Sequence, residues 1–217
     1  SPVTHFLTSW MIANTAPLER RERAIVALSG LAPDIDGLGL AVDIATRGTA
    51  WETNWWGEYH HTLGHNLLFA LVAGTIALSF ARSHRLMSFA LAVAVVHLHL
   101  LCDVSGGRGP EGYQWPIPYL WPFAPHPQWV WSGQWALNAW PNLVITGICI
   151  LVTVRLACCR GFSPVELVSL HWDRKVVETL LKDFRDDRLT EWGIAQNTST
   201  GPHPGCTVAS IGLFGKS

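Results

Sequence analysis

Charge is scarce in this chain. Asp, Glu, Lys and Arg make up only 14% of its 217 residues, and the formal net charge is -1, where a soluble globular protein usually carries about a quarter charged residues. With no global positive field and no basic stripe interleaved with aromatics, nucleic acid is excluded as an expected partner. The cysteines at 102, 149, 158, 159 and 206 show no CxxC and no regular spacing, so no disulfide framework is expected. Three of them sit in or beside apolar runs, where a free Cys behaves as a small hydrophobe. The first residues lack a basic stretch, an apolar core and a small-residue cleavage site, so no cleavable signal peptide is expected. Internal repeats are absent too.

What the chain does have is 49% apolar residues and 12 Trp. Low charge with abundant Trp suits a surface that does not all face water. The length is enough for one domain with a sizeable core. Apolar segments at 4–17, 24–32, 38–45, 67–81, 86–102 and 143–159 read as helices, broken by Pro17, by the Pro33-Asp34-Ile35-Asp36-Gly37 turn and by the charged groups 19–23 and 82–85. Residues 46–59 read as a loop holding Trp51, Trp55 and Trp56. A longer loop at 104–141 is rich in Gly, Pro and Trp; its aromatics argue for a folded cap or interfacial loop. Residues 163–192 read as an amphipathic helix opened by Ser163-Pro164-Val165-Glu166, and 193–217 as a disordered Ser/Thr/Gly/Pro tail.

The runs of about 15–17 residues fall at or just under the roughly 17–25 of a spanning helix. Hydropathy alone leaves a membrane bundle and a soluble helical bundle both open. Alternating the helices up and down puts Arg20, Arg21, Arg23, Arg82, Arg85, Arg155 and Arg160 at one end. His5, Asp34, Asp36, His60, His65, His99 and Asp103 then fall at the other. That segregation fits the positive-inside rule, with the His/Asp end outside the cytoplasm and the Trp-rich loops at its interface. The expected fold is therefore an all-α helical bundle, transmembrane and multi-pass in the cell (inner) membrane, with a long Trp/Pro-rich loop at the site end. Residues 1–162 would form the membrane-embedded metal-site domain.

Within His97-Leu98-His99-Leu100-Leu101-Cys102-Asp103, His99 and Asp103 are four apart and share a helix face, whereas His97 points away and reads as a packed histidine. Asp34 and Asp36 flank one residue of a turn, so both can aim at one site. His61 and His65 are i,i+4 and His60 and His65 are i,i+5, so either His60 or His61 can be the ligand. Singly these residues have ordinary readings: Asp34 as a turn residue, His60 or His61 as loop histidines, His5 as a first-turn residue. Jointly, imidazoles and carboxylates converging in an apolar bundle suit a divalent metal: Zn²⁺ first, Mn²⁺ or Fe²⁺ as alternatives, one ion or two. Such a metal lowers the pKa of a bound water, while Asp36, His61 and Asp103 are the candidates for proton handling.

Thr4-His5-Phe6, Pro33-Asp34-Ile35-Asp36, the His60…His65-Asn66 segment and His99-Leu100-Leu101-Cys102-Asp103 together resemble, over roughly residues 4–160, the signatures of the prokaryotic membrane-bound metal-dependent hydrolase family. The resemblance implies an integral membrane helical bundle and a metal site built from His5, Asp34, Asp36, His60, His65, His99 and Asp103. One departure stands out. The third motif is usually His-Arg-Gly-x-Thr-His-Ser, and here His61-Thr62 replace Arg-Gly, Gly64 replaces Thr and Asn66 replaces Ser. If that Arg binds an anionic substrate, recognition here must come from elsewhere, with Arg108 as a candidate. The expected function is hydrolysis of a phosphoester or similar bond of an amphiphilic substrate, with membrane lipid and small amphiphiles as partners. The alternative is a non-catalytic membrane protein whose metal is structural and whose 163–192 segment recruits a cytoplasmic partner.

Overall fold

A computed structural model gives the structure of the protein and describes residues 1–109 and 112–192, with side chains described as far as residue 182. Helices follow one another along the chain: α1 (Pro2–Ala13), α2 (Arg20–Leu31), α3 (Gly39–Thr46), α4 (Trp55–Tyr59), α5 (Leu67–Phe80), α6 (Arg85–Gly106), α7 (Trp140–Arg160) and α8 (Leu170–Trp192). Strand is confined, among the described residues, to a two-residue antiparallel ladder of Ile117–Pro118 with Gln128–Trp129. The helical bundle expected from the sequence is the fold observed.

Local chemistry explains the boundaries. Glu19 and Glu22 form a capping box at the start of α2. Pro33 interrupts the helical ladder after Leu31, and Ala32–Leu38 continues as a 3-10 turn that carries Asp34 and Asp36. Asn66 caps α5 by accepting the Phe69 N–H. Gly161, in the left-handed region, ends α7.

Three segments differ from expectation. Helix α4 forms inside the 46–59 loop because the Asp43 carboxylate, brought from α3, accepts the N–H groups of Trp55 at 2.7 Å and Trp56 at 2.8 Å; a cap from so far along the chain leaves no local signature. Helix α6 runs on to Gly106. The 163–192 segment divides into a 3-10 turn, Pro164–Leu167, and α8. Residues 193–217 lie outside the described residues. Cys102, Cys149 and Cys158 are free thiols.

Trp10, Val26, Val95, Val96 and Leu100 are fully buried between α1, α2, α5 and α6. The outer faces are apolar as well: Leu68, Leu71, Ile76 and Phe80 of α5, and Leu143, Ile148 and Leu151 of α7, are exposed. In water each such side chain would forgo part of the roughly 1.5–3 kcal/mol that full burial yields, a cost that lipid removes. Arg20–Thr46, Arg85–Gly106 and Trp140–Arg160 are each long and apolar enough to cross a membrane, and Leu67–Phe80 is a shorter apolar helix.

The helices alternate as the charge pattern predicts. At one end, Arg23 makes a paired contact with Glu166 at 2.9 and 2.7 Å, and Arg160 donates to the Asn14 carbonyl at 3.0 Å. Buried Glu22 accepts the N–H groups of Arg82, Ser83 and His84 on the α5–α6 turn. The histidines and aspartates occupy the other end. Above them the long loop is anchored in the bundle: Ile117 is fully buried against Ala70, Ala73, Val96 and Leu100, the Tyr119 carbonyl accepts the Leu67 N–H at 2.9 Å, and the Tyr119 hydroxyl meets His97 Nε2 at 2.9 Å. His97 is thus a packed, hydrogen-bonded histidine.

Candidate metal centre

Three short geometric facts define the centre. His99 and Asp103, one helical turn apart on α6, bring Nε2 and Oδ2 to 2.9 Å. His65, on the segment leading into α5, places its Nε2 3.2 Å from the same Asp103 oxygen and 3.2 Å from His99 Nε2. From α1, His5 Nε2 lies 3.2 Å from Asp103 Oδ1, and its ring stacks on that of His99 at 3.8 Å. His5, His65, His99 and Asp103 are all buried.

The far side of each ring decides what these nitrogens can offer. His99 Nδ1 donates to the Gly30 carbonyl at 2.8 Å, so in the neutral ring Nε2 carries a lone pair. His65 Nδ1 donates to Asp36 Oδ2 at 2.9 Å, with the same result. Gly30 also lies where α1 and α2 meet with no room for a side chain: a Cβ there would sit 1.8 Å from Ser9 Oγ. Two imidazole lone pairs and a carboxylate oxygen therefore face one another within 3.2 Å. Such an array repels itself unless a cation sits in it.

With only protons to supply, His65 becomes the cation. Burial disfavours its charge, but hydrogen bonds and charge contacts with Asp103 and Asp36 outweigh burial and push its pKa up to about 9. A divalent metal competes for the place of that proton.

Ligand atoms converge in three overlapping groups: His5 with His99 and Asp103, Asp34 with His65 and His99, and His61 with His65 and Asp103, each within 4.8 Å. Each pair of groups shares one of His65, His99 and Asp103, so they form one basin rather than separate sites. Asp34 Oδ1 is 3.7 Å from His99 Nε2, while its buried Oδ2 has no hydrogen-bond partner. His61 is buried, adopts φ 66°, and leaves Nδ1 without a partner. Burial, reinforced by the His65 charge, pushes its pKa down to about 3 and keeps the ring neutral. The loop is drawn close to the 3-10 turn at Gly64, where a Cβ would meet the Pro33 carbonyl oxygen at 2.5 Å. The Thr usual at that place in the resembling motif would not fit this approach.

Asp36 and His60, expected among the ligands, belong to none of these groups. The Asp36 carboxylate instead faces three donors: His60 Nδ1 at 2.8 Å on one oxygen, His65 Nδ1 at 2.9 Å and the Gly64 N–H at 3.1 Å on the other. With its lone pairs directed at those donors, Asp36 holds the two imidazole rings. His60 stacks on Trp56 at 3.9 Å and meets the edge of Trp115 at 4.9 Å. Trp56 and Trp115 lie in segments that read as loops, and no local spacing links them to the histidines. Arg108 is held by the long loop, donating to the Ser132 carbonyl at 3.3 Å.

Residues 1–172 match the family model described as YdjM inner membrane protein. The chain belongs to the YdjM inner membrane protein family. Family membership and the three apolar spans together give an inner-membrane location. No curated protein and no solved structure matches the chain.

Proposed function

We propose that this member of the YdjM family is a metal-dependent hydrolase of the membrane, acting on a phosphoester or similar bond of an amphiphilic substrate. The observation that carries the reading is the convergence of His65 Nε2, His99 Nε2 and Asp103 Oδ2 within 3.2 Å, with both Nδ1 atoms committed elsewhere. Imidazole held by a carboxylate or a carbonyl on its far nitrogen is how proteins orient a metal ligand. A mixed nitrogen and oxygen donor set suits Zn²⁺, with Mn²⁺ or Fe²⁺ as alternatives, one ion or two.

The roles divide accordingly. His65, His99 and Asp103 would hold the ion, with His5 and Asp34 close enough to contribute further ligand atoms. Asp36 and the Gly30 carbonyl fix the two ring tautomers. His61, neutral and with Nδ1 free of partners, would accept a hydrogen bond from the attacking water and orient it. A divalent cation supplies Lewis acidity, lowering the pKa of water and polarising the bond under attack. Where the resembling motif has Arg, this chain has His61, so a bound cation would be the group that meets charge on the substrate. The basic end faces the cytoplasm by the positive-inside rule, and the centre opens on the other side. A closed structural metal site supported by four ligands would leave His61 and either His5 or Asp34 unexplained, which favours catalysis over the partner-recruiting alternative.

Elemental analysis of detergent-purified protein, wild type beside His99→Ala and Asp103→Asn, tests the centre. Stoichiometric metal in the wild type and its loss in both variants is the expected result, followed by metal-dependent hydrolysis in a phosphoester screen. A wild type that takes up no metal after chelator-free purification and reloading overturns the reading.

A further inference from the structure

Beside the metal centre lies a second feature that the hydrolytic reading leaves unused. A cavity of about 260 Å³ opens between α1, α6 and α7, and His5 and Asp103 form part of its wall. Its remaining wall is largely apolar, with Leu98 and Leu101 of α6, Ile145 of α7 and the Trp135 indole from the long loop. Two of its three helices are candidate membrane spans, and Leu101 and Ile145 are 52% and 41% exposed on the faces that would meet lipid.

The polar side chains of Thr4, Ser105, Trp135 and Asn142 along this wall are already occupied. Asn142 donates through Nδ2 to the Gly106 and Leu137 carbonyls at 2.9 and 2.7 Å, and its Oδ1 accepts the Trp135 indole N–H at 2.9 Å. Ser105 donates to the Leu101 carbonyl at 2.8 Å, and the Thr4 hydroxyl pairs with that of Thr146 at 2.7 Å. At the His5 and Asp103 end the wall borders the metal centre, with the Ser1 amino group 3.2 Å from His5 Nε2. An apolar cavity whose polar groups bind one another suits an apolar guest better than water.

We propose that this cavity is a lateral slot for one aliphatic chain of the substrate, entered from the bilayer between α6 and α7 and delivering the scissile head group to the metal centre. The proposal rests on the hydrolytic reading and deepens it by assigning the substrate class: a single-chain, or singly inserted, lipid-like ester. At about 30 Å³ per water-sized group, the volume accommodates a chain on the order of eight carbons.

The test is equilibrium binding of alkylphosphonates, from methyl to dodecyl, to the zinc-loaded full chain in nanodiscs, followed by calorimetry. Affinity should rise about fourfold per added methylene and level off near eight carbons. Two filling variants, Leu98→Trp and Ile145→Trp, should each bring octylphosphonate affinity down towards that of methylphosphonate. Both should retain zinc and unchanged methylphosphonate affinity, which reports an intact fold and centre. Cys102, a free thiol on the same wall, gives a readout without substitution: octylphosphonate, and not methylphosphonate, should slow its labelling by a small maleimide. A chain-length slope that persists in both variants, or none in the wild type, overturns the slot while leaving the centre standing. No zinc-dependent phosphonate binding at any length overturns the hydrolytic reading and the slot together.

Discussion

Both ends of the bundle bury acidic side chains, and they treat them in opposite ways. At the basic end Glu22 accepts the N–H groups of Arg82, Ser83 and His84 through one oxygen and that of Glu19 through the other, and Glu166 receives a paired contact from Arg23. Donors meet acceptors throughout, and the result holds the α5–α6 turn and the start of the C-terminal segment to the bundle. At the other end only Asp36 is met by donors throughout. Asp103 has to share a proton with the imidazoles around it, and Asp34 Oδ2 and His61 Nδ1 have no hydrogen-bond partner. A buried polar network that satisfies itself stabilises a fold, and one that does not is waiting for something to bind.

Breaking a member of each network sharpens the contrast. The largest effect should come from Glu166→Ala, which strands the Arg23 guanidinium; about 3 kcal/mol of stability should be lost in thermal unfolding, with metal content of the folded fraction unchanged. Next, chelation should lower the stability of wild-type protein by about 2.7 kcal/mol if metal is present at a hundred times its dissociation constant, and should do nothing further to His99→Ala. Titration of metal-free protein separates the ends again. Because the folded pKa of His65 is raised to about 9 from an ordinary 6.5, its contribution is complete below about pH 6.5 and is lost as pH rises through 9. Thermal unfolding of the metal-free wild type should record that loss and that of Asp103→Asn should largely lack it. The smallest change is expected of Asp36→Asn, which keeps the shape and weakens the hold on two rings; metal affinity should fall about tenfold, at the low end of what losing an orienting partner costs. An unchanged affinity there would return Asp36 to the role of bystander.

How far the sequence could be read depends on whether a relation is local. His99 and Asp103 declare themselves by sharing a helix face, and the segregation of arginines from histidines follows from alternating helices, so the bundle, the site end and the cluster were legible. The division of labour within the cluster was not. Asp34 and Asp36 flank a single residue, yet one reaches His99 while the other is surrounded by donors, a distinction made by the pitch of a 3-10 turn. His60 and His61 separate because His61 takes a left-handed backbone conformation that turns its ring inward. The partner of His99 Nδ1 is a backbone carbonyl, which every residue possesses and no sequence pattern marks.

The insertion of Ile117 among Ala70, Ala73, Val96 and Leu100 has a mechanical meaning. A long surface segment over a reactive centre invites comparison with a swinging lid, but this one is riveted at its middle. To lift it, the molecule would have to withdraw an isoleucine from its core and part Tyr119 from both Leu67 and His97. The roof over the histidines is architecture, and whatever comes and goes must do so around its edges.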